Sequence, residues 1–189
     1  MIIRKYGIEL RRLTRSDIYL IREMRNRTEI RSKMHAQQYI THEMQRNWFD
    51  SIDNMFNYFF LIIFHGRKVG LVQAKDVDFR SRTCESGIYL WDKNALAQGV
   101  SVKASVAFAD AIFYIILIKS GRSKVRVDNL VAHRHNLSLG YLDVGPAAPE
   151  FMYLDRERFL ALAPRLRRVC SRGMDLEPTT IADAEFPNI

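Results

Sequence analysis

The run from Gly87 to Leu117 constrains the fold more than any other part of this 189-residue sequence. Its first residues are typical of a β-strand, a loop with one glycine follows, and a long apolar stretch then has the length of a helix. The small loop residues 97–101 would let backbone N–H groups point outward where that helix begins. The pattern predicts a docking place for an anionic group, and an ordinary strand-to-helix connection is equally consistent with it.

Composition and charge limit what the chain can bind. Hydrophobic residues make up 48% of it, enough to bury one full core, and the formal net charge of +8 favours an anionic ligand or partner. Cys84 and Cys170 lack a metal-ligand spacing such as C-x-x-C, so we expect a reducing, cytoplasmic compartment and no structural metal. The apolar run 100–118 contains Lys103 and Asp110, which favours a buried amphipathic helix over a membrane span.

The remaining patterns predict an order of strand, helices, three antiparallel strands, helix and strand. The predicted strands cover residues 8–13, 58–64, 69–78, 83–91, 124–127 with 130–131, and 151–154. The predicted helices cover about residues 14–25, 29–34, 41–51, 100–118 and 155–170. Ser120 and Gly121 are expected to end the long helix, and the chain beyond residue 170 is polar with two prolines.

Six short blocks stand in a characteristic order between about residues 8 and 145. They are Leu10–Leu13 with Asp17, Arg25-Asn26, Trp48-Phe49, Tyr58–Phe60, Val69–Val72 and Arg82–Tyr89. No block is specific alone, but together they resemble the GNAT superfamily of acetyl-CoA-dependent N-acetyltransferases. The resemblance implies an α/β (α+β) fold with a mixed, mostly antiparallel central sheet flanked by helices. It also implies acetyl-CoA as co-substrate and no metal.

Two subgroups of this superfamily look closest. The region from Gly70 to Glu85 resembles spermidine and ribosomal-protein N-acetyltransferases, whereas Arg25-Asn26 with Gly87–Leu90 is more similar to enzymes that acetylate UDP-linked 4-amino sugars. A basic protein is a poor host for a polycation, so charge favours the amino sugar. The residues that the resemblance places at the acceptor amine are Arg25, Asn26, Trp48, Tyr89 and His133. For Trp48, packing in the core is the alternative.

The resemblance places the cofactor at the end of the third predicted strand and at the glycine loop. The family's loop is Gln or Arg, two residues, Gly, one residue, then Gly or Ala, and these positions here hold Leu96, Gly99 and Ser101. Backbone N–H groups of residues 89–91 are expected to serve the cofactor and the thioester oxygen. The expected cofactor-binding residues are Leu90, Trp91, Gln98, Gly99, Val100, Ser101, Val102 and Asn136.

For the catalytic acid, the family uses a tyrosine on a helix that follows an asparagine, in a run ending Leu-Gly-Phe. The corresponding run is His135–Pro146, where Pro146 stands in place of the aromatic residue. Tyr141 is the resulting candidate acid, with a packed aromatic as the alternative. His133 and His135 compete for a catalytic or substrate role because imidazole titrates near neutrality.

Glu85 is the candidate base, acting through water. It shares one face of its strand with Gly87 and Tyr89 by the two-residue period. A structural carboxylate paired with an arginine such as Arg82 is an equal alternative. Cys84 has no evident adjacent base, so a small buried thiol is favoured over a nucleophile.

The sequence predicts three segments and leaves two classes of function open. We expect a GNAT-like domain over residues 1–146, a C-terminal strand and basic helix packed on it over 147–170, and a flexible tail over 171–189. The expected partners are acetyl-CoA and a small amine; a membrane is not expected, and a homodimer stays open. The alternative class is a catalytically eroded GNAT-like module that binds CoA or nucleic acid without turnover.

Overall fold

The computed structural model describes residues 1–172 and 180–182, and its centre is one nine-stranded sheet. The strands are β1 (Ile2–Lys5), β2 (Ile8–Arg12), β3 (Tyr58–Phe64), β4 (Arg67–Asp78), β5 (Thr83–Leu90), β6 (Ser120–Lys124), β7 (Leu142–Asp143), β8 (Phe151–Asp155) and β9 (Thr180–Ala182). The helices are α1 (Ile18–Asn26), α2 (Thr28–Arg31), α3 (His42–Ile52), α4 (Lys93–Ala97), α5 (Val100–Tyr114), α6 (Leu130–Ser138) and α7 (Arg156–Cys170). None of these helices is long and apolar enough to cross a membrane.

The strands run in the order β7-β8-β6-β5-β4-β3-β2-β1-β9 across the sheet. Among the described strands, β5 and β6 pair in parallel and every other neighbouring pair is antiparallel. The predicted mixed, mostly antiparallel sheet flanked by helices is therefore confirmed.

Helices bury both faces of the central strands. On one face, Phe108 of α5 packs on Phe60 of β3 with ring centroids 5.6 Å apart. On the other face, Trp48 of α3 packs edge-on against Phe59 at 5.2 Å. Burial on both faces explains why β3 is a continuous apolar run rather than an alternating one.

Strands β5 and β6 separate partway along their length. They pair from Thr83 with Ser120 to Ser86 with Ser123 and no further. Strand β6 stays paired with β8 along its whole length, and just beyond it the Val125 amide donates to the Glu150 carbonyl at 2.7 Å. No described strand pairs with the remaining residues of β5, 87–90, on the side away from β4. The sheet thus has a wedge-shaped gap near its middle.

Beside this gap, α7 fixes the turn that carries Tyr141. Gly140 has a φ of 99°, and a Cβ there would lie 2.6 Å from Leu162 Cδ1. The Gly140 carbonyl accepts a hydrogen bond from Arg158 Nε at 2.6 Å, and the Tyr141 amide donates to the Asn136 carbonyl at 3.1 Å. The aromatic side chain is therefore held by contacts on both sides of its residue.

Several local predictions are confirmed. The His65-Gly66 turn joins β3 to β4 with φ values of 48° and 73°, as a tight hairpin requires. Helix α3 starts where Thr41 caps the Met44 amide, and α7 starts where Asp155 caps the Arg158 amide.

Other local predictions are wrong. Ser120 and Gly121 open strand β6 instead of ending α5, and the segment predicted as a strand at 130–131 begins α6. The strand was missed because the sequence of β6, Ser-Gly-Arg-Ser-Lys, has no apolar residue. Strand β1, the short helix α4 and strand β7 were not predicted. Residues 180–182 pair with β1, which a flexible tail does not predict; the rest of that predicted tail beyond residue 172 lies outside the described residues.

Replacing Gly140 by alanine should destabilise the protein more than replacing Gly145. Both glycines have positive φ values, 99° and 119°, so each change imposes backbone strain of roughly 1–3 kcal/mol. Only at Gly140 must Leu162 also move, since no atom lies within 4 Å of a Cβ built on Gly145. Urea unfolding of the two variants measures the difference, and equal losses would show that α7 does not constrain this turn.

Candidate active site

The start of α5 presents free backbone donors. Gly99 caps the helix in the left-handed conformation with a φ of 69°, and nothing lies within 4 Å of the position a Cβ would take. The Val102 and Lys103 amides donate to the Gly99 carbonyl, whereas the Val100 and Ser101 amides have no backbone acceptor among the described residues. A helix start with open approach and two free amides suits a phosphate group.

The free edge of β5 offers a second set of donors. The Trp91 amide donates to the Val69 carbonyl of β4 at 3.0 Å. Because successive strand residues direct their amides to opposite sides, the amides of Ile88 and Leu90 point into the gap. The prediction that residue 91 supplies a cofactor donor is wrong, since the Trp91 indole N–H is also used, donating to the Lys68 carbonyl at 2.9 Å.

A cavity of about 60 Å³ lies where β5, β6, α5 and α6 meet. Residues from both faces of the sheet line it, Gln73 and Gly87 from one face and Phe108 and Ile112 of α5 from the other, so it extends into the gap between β5 and β6. Its volume is enough for a small chemical group or a few water molecules.

Tyr141 lines this cavity, and its hydroxyl lies 2.6 Å from Ser86 Oγ. Burial raises the pKa of Tyr141 to about 12, although the hydrogen bond with Ser86 opposes this. Tyr141 lies after α6, not on it, because the helix ends at Ser138. Asn129 is the asparagine that caps this helix, and Tyr141 directly follows Leu139-Gly140. In this alignment Tyr141 takes the place of the final aromatic residue of the family's run and not of its helical tyrosine. Its candidacy as the acid therefore depends on its position at the cavity and not on the resemblance.

Asn136 is the α6 residue that lines the cavity. Its side-chain amide is buried and donates to Ser123 Oγ at 3.0 Å. This contact joins α6 to Ser123, the last residue of β6 that pairs with β5, so Asn136 holds one wall of the gap in place. Of the other expected cofactor residues, Gln98 is exposed at the end of α4 and Val102 is half-buried in the first turn of α5.

The Glu85 carboxylate has two cationic partners. Lys75 Nζ lies 2.9 Å from one oxygen and Arg122 Nε lies 3.5 Å from the other. These contacts fit the alternative of a paired structural carboxylate, with Arg122 in the place predicted for Arg82. Glu85 lies on the face of β5 that also carries Tyr89, as predicted.

Two nearby groups have chemistry set by burial. Burial raises the pKa of the Cys84 thiol to about 12, so no thiolate is present at neutral pH. Burial lowers the pKa of His135 to about 4, and its Nε2 lies 3.0 Å from Ser105 Oγ. Neither group is therefore charged at neutral pH.

The residues predicted to bind the acceptor separate into two groups. The Arg25 guanidinium lies 5.8 Å from the Tyr89 ring centroid, and Trp48 packs in the same layer. The Asn26 amide both donates to and accepts from the backbone of Ile40, so it holds the loop after α2. His133 instead pairs with Asp143 on the outer side of α6 at 2.7 Å.

Ser86 and Gln45 were missed by the sequence analysis. Ser86 is an ordinary strand residue by pattern, and its partner Tyr141 is 55 positions away. Gln45 is only 3% exposed although it lies on an otherwise polar stretch of α3. No local signal distinguishes either residue, because both depend on which elements pack together.

Solved N-acetyltransferase structures are similar to this chain. A spermidine N-acetyltransferase from Vibrio cholerae in complex with CoA and spermine has a TM-score of 0.73 at 18% identity, covering 82% of this chain and 99% of that chain. Mutant forms of the spermidine/spermine N-acetyltransferase SpeG from the same organism give 0.68 at 17%, covering 83% and 98%. This chain has the same fold. Its sequence matches no protein-family model, and no curated protein sequence matches it.

The pH dependence of stability should report the buried His135. Its ordinary pKa is 6.5 and its folded pKa is about 4. Below pH 6.5 His135 binds a proton in the unfolded chain but stays neutral in the folded chain. The free energy of unfolding therefore falls by up to about 1.4 kcal/mol per pH unit until about pH 4. His135→Gln should remove this slope in urea unfolding between pH 7 and 4.5. An unchanged slope would assign it to another group.

Proposed function

We propose that this protein is an N-acetyltransferase that moves the acetyl group of acetyl-CoA directly to a primary amine. The observation that carries the proposal is the gap between β5 and β6, whose free edge lies beside the open start of α5. Together these offer two sets of amides to one extended anionic ligand. The similarity to CoA-bound acetyltransferase structures supports the same activity.

The residues present fit acetyl-CoA. The amides of Val100 and Ser101 are suited to its pyrophosphate, and the edge of β5 at Ile88 and Leu90 is suited to its amide-containing arm. The cavity next to Tyr141 is the place for the thioester. Leu96, which replaces a polar residue of the family pattern, is 47% exposed and adds no polar contact.

The reaction needs one bond made, one broken and two proton movements. The amine nitrogen attacks the thioester carbonyl carbon, a C–N bond forms, and the C–S bond breaks. The amine loses a proton to solvent or a base, and the departing thiolate gains one. Tyr141 keeps its proton throughout the neutral range, so it can hold that proton at the sulfur, and the Ile88 and Leu90 amides are the available donors for the oxyanion.

A direct transfer suits this chain better than an acylated cysteine. Cys84 lies on β5 and lines the same cavity, but burial raises the pKa of its thiol to about 12, so it would have to be deprotonated against burial before it could attack. Glu85 remains the candidate base by its position on the acceptor face, although Lys75 and Arg122 already occupy its carboxylate.

The identity of the acceptor amine is the more specific part of the proposal. The similar structures are named for spermidine and spermine. A nucleotide-linked amino sugar remains our hypothesis for this chain, supported by its net charge of +8. One similar spermidine N-acetyltransferase is described as dodecameric, and for this chain a homodimer stays a prediction.

Acetyl-CoA should raise the melting temperature saturably. At about 100 times the dissociation constant the gain is about 2.7 kcal/mol, or roughly 5–10 °C for a chain of this size. Ser101→Asp adds a negative charge where the pyrophosphate is proposed to bind, so the concentration needed should rise about tenfold or more. Thr41→Asp adds the same charge at the start of α3 and is the matched control. No shift at millimolar acetyl-CoA would overturn the proposal.

Tyr141→Phe should lower kcat for acetyl transfer about 100-fold, since it removes a general acid and little else. The melting shift with acetyl-CoA should persist, because the ring remains in place. Tyr153→Phe, at an exposed tyrosine on β8, is the control and should keep full turnover. Thiol release from acetyl-CoA measures both. Full turnover by Tyr141→Phe would exclude it as the acid.

A further inference from the structure

Four buried side-chain donors on the α1 and α3 side of the sheet have no hydrogen-bond acceptor among the described residues. They are Arg22 Nε, Arg25 Nη1, Gln45 Nε2 and the Tyr89 hydroxyl. Arg22 is already engaged through another nitrogen, Nη2, which lies 2.7 Å from His42 Nε2. Buried donors without acceptors are rare in native proteins, and a bound ion or water is one of their established explanations.

Two of these side chains are neighbours. The Arg25 guanidinium lies 5.8 Å from the Tyr89 ring centroid, and Tyr89 lies three positions along β5 from Ser86, where the gap opens. Arg25 and Tyr89 therefore lie together in the layer that covers the end of β5. Gln45 lies on α3, which packs against α1.

Gly87 leaves room for the Gln73 side chain beside this layer. It lies two residues before Tyr89 on the same face, and a Cβ there would press to 3.3 Å on Gln73 Nε2. Both Gly87 and Gln73 line the cavity that extends into the gap. An acceptor that meets the acetyl group at the gap would consequently reach across Gly87 toward Tyr89 and Arg25.

Two carboxylates near β5 and β6 already have cationic partners. Glu85 is paired with Lys75 and Arg122, and Glu150 is paired with Lys124 at 2.9 Å. A polycation at either carboxylate would have to displace these partners, whereas an anion would find unused donors on Arg25 and Tyr89. Charge and hydrogen bonding at this place thus both favour an anionic acceptor.

We infer, building on the proposed function, that the acceptor amine carries an anionic group, a carboxylate or a phosphate, bound by Arg25 with Tyr89. A guanidinium binds either oxyanion through two parallel N–H groups, which an ammonium does not. The Asn26 amide fixes the end of α1 through its two hydrogen bonds to Ile40, at 2.9 and 2.8 Å, and so positions Arg25. The spermine in the similar structure has the opposite charge.

Binding is tested first on protein saturated with CoA, which occupies the start of α5. Inorganic phosphate should then raise the melting temperature further, and spermidine should not. Arg25→Gln should abolish the phosphate shift and keep the shift with CoA itself. Arg27→Gln, an exposed arginine paired with Glu23, is the matched control and should retain both shifts. A spermidine shift, or no phosphate shift on the CoA-bound protein, would overturn the inference.

Turnover is tested with amines that differ only in the anionic group. Phosphoethanolamine against ethanolamine tests a phosphate, and glycine against glycinamide tests a carboxylate. We expect kcat/KM to be about tenfold or more higher for the anionic member of at least one pair, and Arg25→Gln to remove that preference. Tyr89→Phe keeps the aromatic ring but removes the hydroxyl donor, so this variant should lose part of the preference for the anionic amine.

The outcomes separate the two proposals. An intact shift with acetyl-CoA together with preference for spermidine or for the neutral amines would reject the anionic acceptor and leave the acetyltransferase standing. Absence of any shift with acetyl-CoA would reject the acetyltransferase itself. A preference that survives in Arg25→Gln would move the anion site to other residues and overturn the assignment made here.

Discussion

Strands β5 and β6 part after Ser86 and Ser123, and every other feature of the site depends on that separation. Unpaired backbone groups inside a sheet are costly, on the order of 1–3 kcal/mol for each buried group without a partner. The protein tolerates this cost because β4, the strand paired with the other edge of β5, is packed on both faces, with Leu71 and Val72 buried. Packing on one side of the gap thus allows hydrogen-bond donors to stay free on the other.

The distribution of charge follows a similar division. The Asp17 side chain is fully buried, and its Oδ1 forms ion pairs with Arg11 Nη2 at 2.9 Å and with Lys68 Nζ at 2.7 Å. Burial alone would raise the pKa of this carboxyl, but the hydrogen bonds from Lys68 and Thr14, with the charge of Arg11, outweigh burial and hold it below its ordinary value. Its ionised form therefore stabilises the fold at neutral pH, and that contribution is lost as the pH falls through the lowered pKa.

Asp110 has the same arrangement on the opposite face, between Lys5 at 2.7 Å and Arg167 at 2.6 Å. In both places one carboxylate is surrounded by two cations that belong to different elements. Carboxylates used in this way join distant segments and are not available to a ligand. The positive charge that remains at the site, on Arg25 above all, is correspondingly free to act on an anion.

Sequence reasoning succeeded where structure is decided locally. The adjacent strands 58–64 and 69–78 and the helices predicted to begin near Thr41 and Asp155 depend on residues within a few positions, so they were predictable. The hydroxyl pair of Ser86 and Tyr141 was not, because it joins a strand to a turn that only the packing of α7 brings together. Free backbone donors are still harder to predict from sequence. Whether an amide is free depends on how the neighbouring strand pairs, and the type of side chain does not indicate this.

The two-residue period of β5 then explains how two ligands can meet at one strand. Ser86, Ile88 and Leu90 direct their side chains toward α5, whereas Glu85 and Tyr89 face α1. The amides of Ile88 and Leu90 lie along the gap. Gly87, which has no side chain, lies between the two sets. A single inserted residue in β5 would exchange the faces, placing Tyr89 where Ser86 meets Tyr141 and burying the acceptor donors in the core. The site is therefore defined by strand register as much as by residue type.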